Sequence, residues 1–178
     1  HIHKLDGKVV GMTTTDGVYI DGRLTVEGDM TGPASAQMVL RDPSVSVAVL
    51  ETARGGMLRA GLGYRYPDVA CCLNVSGDHL GLGGIETLEQ LAGVKRIPIE
   101  VAREAVVLNA DDPLCLAMAD HSQARHIWYV TQNPKNVLVR EHIRAGGKAV
   151  ALEDGINGQM IAVYDKGAHL PLLWTHLI

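Results

Sequence analysis

The chain has 178 residues, 47% of them apolar, and a net charge of −4. That is long enough to bury a core and too apolar for a disordered segment. The acidic balance excludes the electrostatic footprint of a nucleic-acid or membrane-surface binder, and no apolar run is long enough to cross a bilayer.

In chain order, "HIHKLDG" reads as a helix end meeting a turn. The apolar run Val9–Met12 then leads into "TTTDG". That turn has the look of a phosphate loop but lacks the Gly-Lys-Thr that a P-loop needs. Thr31-Gly32-Pro33 opens a helix to about Arg41, with Pro at a tolerated first-turn position. Apolar runs follow at Val45–Leu50 and Val69–Leu73. Cys71 and Cys72 sit in the second and would point to opposite faces. The three cysteines make no disulfide framework and are read as small buried hydrophobes of a reducing, cytoplasmic protein.

A helix is expected from Thr87 to Arg103, broken or kinked by Pro98. The strand-like run Ala105–Leu108 precedes Asp112-Pro113, a helix start with Asp as N-cap. Ile127–Val130 is the next run, and Val137 to Arg144 a helix stopped by Gly146-Gly147. Ala149–Leu152 and Met160–Tyr164 read as a hairpin across "EDGING", with a further turn at Asp165-Lys166-Gly167. The tail "PLLWTHLI" shows no closing signal, and a fragment is expected from both ends.

Alternating apolar runs and helices predict an α/β fold with a mainly parallel sheet and helices on both faces. A small antiparallel hairpin is added near the C-terminus. The expected organisation is a single domain over 1–178, with an α/β core at 8–131 and a small β appendix at 148–178.

In open α/β sheets, ligands bind outside the carboxyl ends of the strands. Three consecutive predicted strand ends carry polar, glycine-rich turns: "ETARGGMLRAG", "NVSGDHLGLGG" and "NADDP". Glu51 suits either Mg²⁺, a hard cation that takes oxygen ligands, or a cap on the next helix. Asp78-His79 reads as metal ligand, general base or helix-start cap. Arg54 and Arg59 suit a bidentate phosphate or carboxylate clamp or an exposed helix face. Asn109, Asp111 and Asp112 suit base or ribose contacts, or ordinary turn and cap chemistry. Lys95 would by default be a solvated lysine. The other histidines form no ligand spacing.

Five strings carry a resemblance: "GMTTTDGVYIDG", "GDMTGPASAQMVLRDP", "VAVLETARGGMLRAGL", "LNVSGDHLGLGGIETLEQLAGVK" and "VLNADDP". Together they resemble the Mur-ligase-like part of the cyanophycin synthetase family, with a weaker echo in "GGKAVALEDG". The resemblance implies a Mur ligase central domain, P-loop-NTPase-like in fold, within an ATP-dependent ligase that forms amide bonds. Such an enzyme attaches arginine to the side-chain carboxylates of a poly-aspartate backbone through an acyl phosphate. The implied cofactors are ATP and Mg²⁺. The implied partners are ATP, arginine and the aspartate polymer, with a homo-oligomer of the full-length protein left open.

Residue by residue, the resemblance implies that Glu51 and His79 hold Mg²⁺, and that Asn109, Asp111 and Asp112 lie at the nucleotide. Lys95 falls where many Mur ligases carry a carbamylated lysine; it and Arg54 are the expected catalytic groups. Thr15 and Asp16 belong to a turn close to the acceptor. The family's Gly-Thr-Asn-Gly-Lys-Thr-Thr loop is absent from these 178 residues, which alone are expected to be inactive. Three readings compete: a Mur-type ligase of peptidoglycan or folate, a non-catalytic Mur-like module, and a metal phosphohydrolase using Asp78-His79. "ETARGGMLRAGL" replaces the Ser-rich turn that the first would carry.

Overall fold

The structure, a computed structural model, describes residues 1–77 and 80–178. The chain divides into two compact units, His1–Arg65 and Tyr66–Ile178.

The first unit opens with α1 (Ile2–Leu5) and is built on a four-stranded sheet of order β3-β2-β1-β4. Its strands are β1 (Val10–Thr13), β2 (Gly17–Ile20), β3 (Arg23–Glu27) and β4 (Val47–Leu50). Only β1 and β4 run parallel; β1–β2 and β2–β3 are antiparallel. The antiparallel content here exceeds the single C-terminal hairpin expected from the sequence. The signal was present: Asp21 and Gly22 both have positive φ, 50° and 80°, as a two-residue hairpin turn matched to strand twist requires.

Helix α2 (Pro33–Arg41) starts at its Pro, with Gly32 as N-cap. It buries Ser35, Ala36 and Val39, spaced to form one stripe. Val39 reaches β1 where Gly11 offers no side chain; a Cβ there would lie 2.4 Å from Val39 Cγ1. Helix α3 (Arg54–Ala60) follows β4.

The second unit carries a six-stranded sheet of order β10-β9-β8-β7-β6-β5. Strands β5 (Val69–Cys72), β6 (Ala105–Asn109), β7 (His126–Thr131) and β8 (Lys148–Gly155) are successively parallel. The strands β9 (Gly158–Asp165) and β10 (Ala168–Trp174) add antiparallel pairs. The predicted hairpin is therefore continuous with the sheet, because β8 pairs with β7 on one side and β9 on the other. The expectation of buried cysteines holds for Cys72 and Cys115 and fails for Cys71, which is exposed. Adjacent residues of a strand face opposite sides, and β5 alternates exposed and buried along its length.

The long helix expected from Thr87 is two helices, α4 (Leu88–Lys95) and α5 (Ile97–Val101), broken at the predicted proline. Thr87 and Gln90 form a reciprocal capping box that starts α4. Helix α6 (Pro113–Ala117) is capped by Asp112, and α7 (Val137–Arg144) by Asn136. Leu91, Ile99, Val106, Leu108, Cys115 and Met118, each no more than 1% exposed, form the core beneath these elements.

Candidate functional site

In the first unit, the carboxyl ends of β1 and β4 lie side by side. The segment "TTTDG" is a hairpin turn between β1 and β2. Thr14 donates its N–H to the Gly17 carbonyl at 2.9 Å, and its hydroxyl accepts from Asp16 N at 3.1 Å. Thr15 and Asp16 form the exposed tip. Backbone hydrogen bonds knit this turn to its neighbours: Met30 N to Thr14 O (3.0 Å), Glu51 N to Thr13 O (3.2 Å) and Ala53 N to Thr31 O (3.2 Å). The turn, the 28–31 segment and the Glu51–Arg54 segment thus share one edge.

Glu51 is exposed just beyond β4. The N-cap of α3 is Ala53, with no side-chain cap bond, so Glu51 is not that cap. Arg54 is the first residue of α3, and Arg59 lies in its last turn. Asp29 accepts the Thr31 hydroxyl at 2.6 Å. That bond, with the Thr31 N–H and the nearby Arg59 charge, holds its carboxyl below the usual range. Thr13 is 1% exposed, and among the described residues its hydroxyl has no hydrogen-bond partner.

In the second unit, β5, β6 and β7 end along a common edge. The turn after β6 has two sides. On one, the Asp111 carboxylate accepts the Thr131 hydroxyl (2.6 Å), Gln132 N (2.7 Å) and Asn136 Nδ2 (2.9 Å). An open depression of about 520 Å³ lies here, lined by Ala110, Asp111, Gln132, Asn133 and Asn136. Its volume is in the range of small-ligand sites, and amide and carboxylate groups dominate its wall.

On the other side, Asn109 Nδ2 donates to the Leu73 carbonyl at 2.9 Å, while its Oδ1 accepts Asp111 N. Asp112 Oδ1 caps α6 through Leu114 N and Cys115 N, and its Oδ2 accepts Val75 N at 2.8 Å. Lys95, the last residue of α4, donates Nζ to the Asn74 carbonyl at 3.1 Å. Burial pushes the Asp111 and Asp112 carboxyls up, but hydrogen bonds outweigh it and hold both below the ordinary range. The bonds come from Thr131, Asn136 and Gln132 at Asp111, and from Val75, Cys115 and Leu114 at Asp112. Beneath the turn, the Cys72 and Cys115 sulfurs are 3.6 Å apart. The hydrogen bond to Cys115 draws the Cys72 thiol below its ordinary value, while Cys115 is itself pushed far up.

Thus Lys95, Asn109 and Asp112 meet on one short segment, Asp111 faces the depression, and Thr15, Asp16, Glu51 and Arg54 share the edge in the first unit. Asp78 and His79 lie outside the described residues. Among the described residues, no three His, Cys, Asp or Glu side chains cluster as a metal site. Glu51 nonetheless fits Mg²⁺, which is held by one or two carboxylates while phosphate and water complete its shell. Sequence reasoning missed Gln132, Asn133 and Asn136. Their signal was the polar run "TQNPKN" at the end of the Ile127–Val130 strand.

A parallel sheet with polar turns gathered at its strand ends defines a ligand-binding α/β fold. The chain belongs to the Mur ligase middle domain family, whose model matches residues 1–172. It is 48% identical over 178 residues to a cyanophycin synthetase of Trichormus variabilis, covering 97% of this chain and 20% of the relative. To that of a Synechocystis species it is 52% identical over 157 residues, covering 87% and 18%. The chain therefore spans about a fifth of the length of these relatives. A solved UDP-N-acetylmuramoyl-L-alanyl-D-glutamate–2,6-diaminopimelate ligase shares the fold. Its TM-score is 0.64 at 20% identity, over 96% of this chain and 34% of that one. Among the described residues, no helix is long and apolar enough to cross a membrane.

Proposed function

We propose that the chain is the nucleotide-handling middle part of a cytoplasmic, ATP-dependent ligase of the cyanophycin synthetase type, which attaches arginine to aspartate side chains of a poly-aspartate backbone. The observation that carries this reading is the 48% identity to cyanophycin synthetases along 97% of the chain.

In this reading, a side-chain carboxylate oxygen of the polymer attacks the γ-phosphorus of ATP and ADP leaves. The arginine amine then attacks the acyl-phosphate carbon. Phosphate departs with the C–O bond electrons, and the amine loses a proton. Mg²⁺ supplies neutralisation of phosphate charge. Glu51 in the first unit is proposed as a Mg²⁺ ligand, and His79, outside the described residues, is separately proposed as a Mg²⁺ ligand. Arg54 pairs with phosphate or carboxylate, and Thr15 and Asp16 contact the acceptor.

The base and ribose occupy the depression beside Asp111, with Gln132, Asn133 and Asn136 as hydrogen-bonding wall. Asn109 spends one amide hydrogen on Leu73, and its second remains for the base. Asp112 shapes the nucleotide turn from beneath. Lys95 works next to the nucleotide turn, and self-association of the full-length protein completes the proposal.

The test is an assay of the full-length protein with ATP, Mg²⁺, an aspartate-containing primer and arginine. ADP release that requires both primer and arginine, with arginine incorporated, is expected. ADP release with a different amino acid alone would point to another Mur-type ligase. No turnover with any amino acid would leave a binding module.

A further inference from the structure

Two of the three cysteines meet although they belong to different elements. Cys72 ends β5, and Cys115 stands in the first turn of α6, 43 residues further along the chain. Their sulfurs are 3.6 Å apart and joined by a thiol hydrogen bond. Cys115 is fully buried and Cys72 is 8% exposed, so the pair can be reached only through Cys72. Cys71, one residue earlier, is exposed and points to the opposite face of the strand.

The two thiols are not equivalent. The hydrogen bond to Cys115, and the Lys95 charge with it, draw Cys72 toward its thiolate against the opposing effects of burial and Asp112. The thiolate is the nucleophile, so Cys72 reacts first. Cys115 is pushed up chiefly by its hydrogen bond to Cys72, then by burial. Oxidation of Cys72 removes the negative charge that keeps the proton on Cys115.

We propose that Cys72 and Cys115 are a modification site, which hydrogen peroxide converts to a reversible disulfide stapling the end of β5 to the start of α6. The Cys72 thiolate attacks one peroxide oxygen, the O–O bond breaks, and hydroxide leaves with the bonding pair to become water. The Cys115 sulfur gives up its proton and attacks the sulfur of the Cys72 sulfenic acid. The S–S bond forms, the S–O bond breaks, and the second oxygen leaves as water. Two thiols and one peroxide thus give a disulfide and two waters, with two electrons passing from sulfur to oxygen. In the cytoplasm proposed above such a bond is transient, because cellular thiols reduce it.

Little movement is needed. A disulfide holds its sulfurs about 2.05 Å apart, so closure from 3.6 Å takes about 1.5 Å of approach, shared by a strand end and one helical turn. The same two elements are already joined through Asp112, whose Oδ1 accepts Cys115 N and whose Oδ2 accepts Val75 N. Those hydrogen bonds open and re-form; the covalent bond does not, so the staple suppresses parting of the β5 end from α6.

The experiment treats the full-length protein with hydrogen peroxide, blocks free thiols with N-ethylmaleimide, and maps peptides by mass spectrometry. Cys71→Ser removes the neighbouring thiol at an exposed position and makes the assignment unambiguous. In that variant the Cys72 and Cys115 peptides should be recovered joined, two hydrogens lighter, and separated again by dithiothreitol. Cys115→Ser should yield no cross-link and a Cys72 sulfenic acid that dimedone traps. Hydrogen exchange of residues 73–75 in oxidised Cys71→Ser should be at least about tenfold slower than in the reduced form.

A native protein that forms the cross-link only in denaturant overturns the proposal. So does a disulfide that needs Cys71, or dimedone capture at Cys71 in place of Cys72. A Cys72–Cys115 bond that leaves exchange of 73–75 unchanged overturns the staple. The peptide map and the exchange rates are read without substrates, so they stand whether or not arginine is ever incorporated.

Discussion

At the scale of single residues, Asp111 is the acceptor on which the turn after β6 closes. Asp111→Ala removes the shared acceptor of Gln132 N–H and Asn136 Nδ2 and leaves the Thr131 hydroxyl only the longer bond to the Asn133 carbonyl, and should cost about 1–3 kcal/mol, read from urea unfolding. The same carboxyl sets a pH dependence with Asp112. Both are held below the ordinary range when folded, so the unfolded chain binds more protons in acid. Their stabilisation is fully present above the unfolded carboxylate value of about 4 and is lost as pH falls through the lower folded values. Unfolding series between pH 6 and pH 2.5 should show this, and Asp111→Asn should flatten it. Thr13→Val removes a buried hydroxyl that has no partner among the described residues and should raise stability by about 1 kcal/mol; a loss would show that the hydroxyl is satisfied in solution. The site was half legible at this scale. "NADDP" declares itself through turn chemistry. Gln132, Asn133 and Asn136 did not, because only the β6–β7 register brings them to Asp111.

Elements were legible where periodicity or a stop signal was strong. The four runs that became β1, β5, β6 and β7 are apolar from end to end, and Pro33, Pro98 and Asp112 mark helix starts and a break. Two features escaped. The β2–β3 hairpin is short and half exposed, so its alternation is faint and only Asp21-Gly22 signals it. β10 contains Pro171, which argues against an interior strand. It survives as the edge strand, with a register shift between Pro171 and Leu173. The join between elements is also testable at Gly63, whose φ is +76°. A Cβ there would meet the Pro33 carbonyl oxygen at 2.4 Å, backbone that cannot step aside. Gly63→Ala should destabilise by about 2 kcal/mol or more through overpacking and strain together, seen as a lowered thermal midpoint. Gly61→Ala, equally left-handed but in open space, should cost less.

At the scale of the whole molecule, the α/β class followed from alternation alone. The division into two units did not, since no break in composition marks residue 65. The ligase reading predicts that ATP with Mg²⁺ stabilises the full-length protein by about 2.7 kcal/mol at a hundredfold excess over Kd. Glu51→Gln should remove the Mg²⁺-dependent share of that shift and leave the nucleotide share; an unchanged Mg²⁺ response would remove Glu51 from the metal site.

The turn from Asn109 to Asp112 faces a ligand-sized depression with one side and grips the segment after β5 with the other. Thermodynamic linkage makes such an arrangement two-way. Whatever factor the grip contributes to the affinity of a ligand in the depression, that ligand must return as tighter holding of Leu73–Val75. One short turn then lets an occupied depression report itself at the neighbouring strand end.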